Sequence, residues 1–118
     1  MHIHRQVGQQ GEQAAASDLI RRGFTIVARN LRLEAVEIDL LARKGRVLLV
    51  VEVKTRASGQ GPPPEASVGA RKQAKLALAV RALAARFPTA ELQVAVAAVR
   101  LAPPHAPVIV WFLDPLQA

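Results

Sequence analysis

The chain has no cysteine, which excludes both a disulfide framework and a thiolate zinc site. Its aromatic residues are only Trp111, Phe24, Phe87 and Phe112, too few for a surface that recognises splayed-out bases by stacking. Long apolar runs are also missing. The stretch Val47–Val51 is far too short to span a bilayer. Met1–Glu12 is polar and has no apolar h-region, so no secretory signal is expected there, and a soluble cytoplasmic protein is. Acidic residues are in deficit: 9 Asp and Glu stand against 16 Lys and Arg, for a net charge of +7. That excess favours polyanionic partners, because each Lys or Arg near a phosphate releases condensed counterions.

What is present is a hydrophobic share of 51% over 118 residues, enough for one domain with a core and too short for two. We read residues 1–118 as a single domain with a flexible stretch at 1–7. From about Gln9 to Arg22, Ala15, Ala16, Leu19 and Ile20 recur at helical spacing, and Gly23 stands where a helix stops. Strands are expected at Phe24–Arg29, Val36–Arg43 and Arg46–Lys54, the last two joined in a hairpin at Lys44-Gly45. Ala57–Pro64 reads as loop. Ser67 or a neighbour caps a long helix to about Arg86, with Leu76, Val80, Leu83 and Phe87 on one stripe. Strands Leu92–Leu101 and Val108–Leu113 follow, separated by Pro103-Pro104. The order α-β-β-β-α-β-β implies an α/β domain, a mixed sheet flanked by helices.

Glu52 breaks an otherwise apolar run, Leu48-Leu49-Val50-Val51-Glu52-Val53, of the kind found in a strand covered on both faces. A carboxylate there needs a partner or a metal, because desolvating it alone is costly. Lys54 shares its face. With a turn at Lys44-Gly45, Arg43 pairs with Arg46 and Asp39 lies opposite Val50, diagonal to Glu52 at roughly 7–8 Å. Glu37 then faces Glu52 directly. On the first helix Glu12 lies about 20° from Leu19, on the inward stripe. Two such readings are open: a structural ion cluster closing the sheet, or a site for a hard divalent cation. In the second, Asp39 and Glu52 hold Mg²⁺ or Mn²⁺ with help from the Val53 carbonyl, and Lys54 stabilises charge on phosphate.

The segments Glu37-Ile38-Asp39-Leu40-Leu41 and Val51-Glu52-Val53-Lys54-Thr55-Arg56 resemble the paired motif of the YraN family. That family is similar to archaeal Holliday-junction resolvases within the PD-(D/E)xK nuclease superfamily. Gly8, Gly11, Glu12 and Ala15 fit its first helix, Gly23 and Asn30 its next segment, and Ala66-Ser67-Val68 with Lys72 and Lys75 its second helix. The resemblance implies a restriction-endonuclease-like fold in which Asp39 and Glu52 bind metal, Lys54 is the catalytic lysine and Glu12 supports them. Two positions depart from it: Val36 stands where the family has Gly, and Leu92-Gln93-Val94 where it often has Arg-Phe-Asp.

The function this implies is a metal-dependent endonuclease hydrolysing phosphodiester bonds, in DNA rather than RNA and with branched DNA as one substrate class. The alternatives are a nucleic-acid-binding module without turnover, and a structural or protein-interaction domain. Arg56, Lys72 and Lys75 are candidate phosphate contacts; for Arg71, Lys72 and Lys75 the competing reading is a solvated helical face. Val108–Phe112 reads as a covered strand, or less readily as the interface of a homodimer. His2 and His4 lie near the N-terminus and His105 between prolines; none is assigned to a site.

Overall fold

The computed structural model describes residues 3–33, 35–57 and 69–113. Its elements are α1 (Ile3–Arg21), β1 (Thr25–Leu33), β2 (Val36–Lys44), β3 (Val47–Arg56), α2 (Ala70–Arg86), β4 (Glu91–Ala102) and β5 (His105–Leu113). The strands form one sheet in the order β1-β2-β3-β4-β5. Neighbours are antiparallel except β3 and β4, which run parallel. A parallel pair needs a crossover, and α2 provides it.

The central strands are apolar on both faces because each face carries a helix. Leu49 and Val51 of β3, with Ala95, Ala97 and Val99 of β4, pack against Ala15, Ala16 and Leu19 of α1. Leu48 and Val50, with Val94 and Val96, pack against Leu76, Ala79 and Leu83 of α2. The edge strand β5 is covered on one face only. Its Ile109 and Trp111 join the α1-side core, whereas Val108, Val110 and Phe112 are 56%, 49% and 37% exposed. The covered strand expected from its composition is therefore half right, because α2 does not reach this edge.

Three boundaries differ from the sequence reading in ways that matter. First, α1 begins at Ile3 rather than near Gln9, so helix replaces most of the flexible stretch expected at 1–7. The added turns carry only two large apolar residues, Ile3 and Val7, of which Val7 packs against the α1-side core. At its other end α1 stops as expected. Gly23 takes φ 93°, its amide bonds the Ile20 carbonyl, and the Phe24 amide bonds that of Leu19, a Schellman closure.

Second, the hairpin turns at Gly45-Arg46. The observed pairs run from Lys44↔Val47 through Arg43↔Leu48 to Leu40↔Val51. Gly45 has φ 60°, and a tight hairpin puts its positive-φ glycine at the first loop position, which moves the turn on by one residue. The register thereby shifts by two and keeps its parity. Asp39 comes level with Glu52 rather than Val50, and Glu37, expected opposite Glu52, instead pairs with Arg32 of β1. Third, Phe87 is exposed at 37%. It is the C-cap of α2, with φ −127°, and leaves the helical path before it can extend the buried stripe. The N-cap of α2 is Gly69 without a side-chain bond; Ser67 lies outside the described residues.

Candidate active site

The site forms where β1, β2 and β3 part from a regular sheet. On β2, Ile38 and Leu41 both pack on the α2 side, while Leu40 packs against α1. On β1, Ala28 and Leu31 both pack on the α2 side. Alternation, which should put residues three apart on opposite faces, fails in both strands at the same level. The β1–β2 ladder steps from Arg29↔Leu40 to Leu31↔Ile38, with Asn30 and Asp39 outside it. Asn30 has φ 51°, a conformation that Asn tolerates better than most residues.

Released from the ladder, Asp39 turns toward β3. The Val53 amide donates to its Oδ2 at 2.8 Å, just past Leu40↔Val51, where the β2–β3 ladder ends. The neighbouring Glu52 carboxyl acts on it both as a hydrogen-bonding group and as a like charge. Two carboxyls in such contact need a shared proton or a cation between them. Burial first, and then the bond to and charge of Glu52, push the Asp39 pKa up to about 7, against the pull of the Val53 amide and the Lys72 charge. Lys72 of α2 reaches the pair, with Nζ 3.2 Å from Glu52 Oε2.

Glu12 approaches from α1. Burial, then the nearby Asp39 and Glu37 charges, raise its pKa, while Asn30 and Arg29 oppose the rise. The helix can come this close because residue 11 is glycine. A Cβ there would collide with the Thr55 side chain on β3, next to Lys54. Lys54 itself follows Glu52 by two on the same strand, and so shares its face.

Of the residues singled out from sequence, the structure puts Asp39 beside Glu52, Lys72 on Glu52, and Glu12 near enough for the Asp39 charge to act on it. Arg56 is exposed at the end of β3, and Lys75 is half-buried on α2. His105 lies apart, lining a cleft of about 870 Å³ between α1 and the β4–β5 turn. His2 and the side chain of His4 fall outside the described residues. Sequence reasoning matched Asn30 to the family's segment after the first helix but gave it no role; its physical signal was an Asn within a run of strand-forming residues. The tie between Trp111 Nε1 and Asp18 Oδ2, 2.7 Å long, was also missed, as nothing in the sequence links positions so far apart.

Among the described residues no three His, Cys, Asp or Glu side chains converge as a metal-holding group. The pair still suits a hard cation, since Mg²⁺ is commonly held by one or two carboxylates with water and phosphate completing its shell. The two neighbouring carboxyls, with Lys72 Nζ 3.2 Å from one of them, supply the hard oxygen donors that such a cation prefers. No helix is long and apolar enough to cross a membrane among the described residues.

Comparison with known proteins adds a family and a fold. The model of the uncharacterised protein family UPF0102 matches residues 11–99. A UPF0102 protein of Symbiobacterium thermophilum is 49% identical over 75 residues, 64% of either chain. One from Geobacter metallireducens is 40% identical over 80 residues, 67% of this chain and 66% of that one. The matched segment thus spans slightly less than two thirds of these relatives. Among solved structures, the Holliday junction resolvase Hjc of Archaeoglobus fulgidus superposes with a TM-score of 0.54 over 92% of this chain and 77% of its own, at 23% identity. The architecture is therefore that of the Hjc nuclease fold, and the chain belongs to the UPF0102 family, also called the YraN family.

Proposed function

We propose that this protein is a Mg²⁺- or Mn²⁺-dependent endonuclease acting on DNA, branched DNA included, in the cytoplasm. The observation that carries the reading is the placement of Asp39, bound by the Val53 amide, level with Glu52, which Lys72 reaches at 3.2 Å, at the point where β2 and β3 separate. Two carboxyls held together in a half-buried place need a proton or a positive charge to offset them; Lys72 offsets part of the charge here, and a divalent cation would offset the rest. Asp39 and Glu52 would hold the metal, with the Val53 carbonyl as a further oxygen donor. Once bound, such a cation neutralises phosphodiester charge and makes water a stronger acid.

The chain's own residues do the rest. The Val53 amide fixes the Asp39 carboxylate. Lys54, on the face of Glu52, contributes a compact positive charge that is most valuable when charge builds on the phosphate. Glu12, facing Asp39 from α1, adds negative charge that strengthens the hold on a cation. Lys72 pairs with Glu52, and with Glu52 engaged by a cation it would be available, with Arg56 and Lys75, to contact phosphate. The uncovered face of β5, Val108, Val110 and Phe112, is where a second copy packs if the protein is a homodimer.

The test is a cleavage panel of linear, flapped and four-way DNA with Mg²⁺ or Mn²⁺, run beside Glu52→Ala. Metal-dependent cutting by the wild type and none by the variant is expected. Tight binding without cutting on every substrate replaces this reading with a nucleic-acid-binding module. Failure to bind at low salt removes both.

A further inference from the structure

We infer that Asn30 is a positioning residue of this site, its side-chain amide clamping the Glu12 and Glu37 carboxylates beside Asp39. With its nitrogen turned toward them, the amide donates to Glu12 Oε1 at 3.3 Å and to Glu37 Oε1 at 3.2 Å. Carboxylates can only accept, so the NH₂ end is the one that faces them, and its two hydrogens match two acceptors. Glu12 comes from α1 and Glu37 from β2, so one amide ties a helix to the sheet at the level of Asp39.

The clamp has an electrostatic reason. Glu12, Glu37 and Asp39 lie close enough for their charges to act on Glu12, and like charges at such range drive side chains apart. Asn30 and Glu37 are exposed, so without the amide the Glu37 carboxylate has open solvent to move into. A neutral donor pair holds both acids without adding a cation that would compete with the metal.

The backbone makes the same residue do a second task. Among the described residues Asn30 is the one non-glycine with positive φ, at 51°, and it lies level with Asp39 where both strands leave the ladder. Glycine would supply that conformation but no amide. Glutamine would supply the amide but strain the backbone. Asparagine does both, which explains its presence inside a strand that otherwise reads Thr25–Leu33 with apolar and basic residues.

The effect on metal rests on the assignment of Asp39 and Glu52 as ligands, so the experiment has two arms. In the first, Mn²⁺ affinity is measured by calorimetry. Asn30→Gly keeps the backbone conformation and removes the amide, and is expected to weaken Mn²⁺ by roughly 10–100-fold, the usual effect of losing a residue that orients ligands. Wild-type affinity in Asn30→Gly overturns the inference and leaves the metal site standing.

The second arm needs no metal: a double-mutant cycle of Asn30→Gly and Glu37→Ala on unfolding in EDTA. Non-additive effects support the clamp, and additivity overturns it. If the wild type takes up no Mn²⁺, the ligand assignment fails, and the cycle alone decides on Asn30.

Discussion

Without metal, Asp39 sits in a folded environment that favours the neutral acid, the wrong charge state for a metal ligand. Its pKa rises from 3.8 to about 7, through burial first and Glu52 second. Between those values the folded state binds a proton that the unfolded chain has released, so stability falls as pH rises through that range. In EDTA the unfolding midpoint should therefore drop from about pH 5 to about pH 8, and Asp39→Asn should remove most of that drop. Equal pH dependence in the two proteins would show that the carboxyl contact carries no such cost. Asp39 also marks the limit of sequence reasoning at this scale. Shared strand parity placed it with Glu52, and the residues do meet, but not by simple alternation. The left-handed Asn30 and the failed alternation at Ile38–Leu41 decide where the carboxyl points, and periodicity cannot express a break in its own period.

At the scale of elements, the chain's apolar pattern carries the fold. Runs such as Leu48–Val51 and Val94–Val99 are buried throughout, and the strand–helix–strand order of β3, α2 and β4 dictates their parallel pairing. Ends are less legible, because α1 gains turns with few apolar residues and β5 loses a cover that composition alone would grant it. How closely α1 sits on the sheet rests on two glycines with opposite duties. At Gly11 a Cβ would lie 2.7 Å and 2.8 Å from Thr55 Cγ2 and Cβ, whereas at Gly8 it meets nothing within 4 Å. Gly11→Ala should cost about 1–3 kcal/mol by overpacking and push Glu12 away from Asp39, with Thr55→Ala restoring part of the loss. Gly8→Ala, in the same helix, should instead stabilise by about 0.5–1 kcal/mol. Urea unfolding of the three variants decides; equal effects at both glycines would mean that α1 does not depend on the Thr55 contact.

For the whole molecule the governing quantity is the excess of positive charge, +7, around a small acidic centre. If the basic surface binds DNA while the acids and Lys54 perform chemistry, the two sets should separate under mutation. Arg56 and Lys75 are the cleaner probes of binding, since Lys72 is already committed to Glu52 at 3.2 Å. Arg56→Ala and Lys75→Ala should weaken binding to every sequence alike. Each should also flatten the dependence on salt by about one unit of log–log slope. Glu52→Ala should behave in the opposite way: it deletes negative charge beside the DNA, so affinity holds or rises while cutting stops. Lys54→Ala should bind nearly as the wild type does yet cut poorly, because its charge matters most as the phosphate gains charge in the transition state. Fluorescence titration across a salt series, paired with single-turnover cleavage, reads both properties on the same samples. A Glu52→Ala protein that loses affinity along with activity would place the acids in DNA recognition, and the division between binding and chemistry would fall with it.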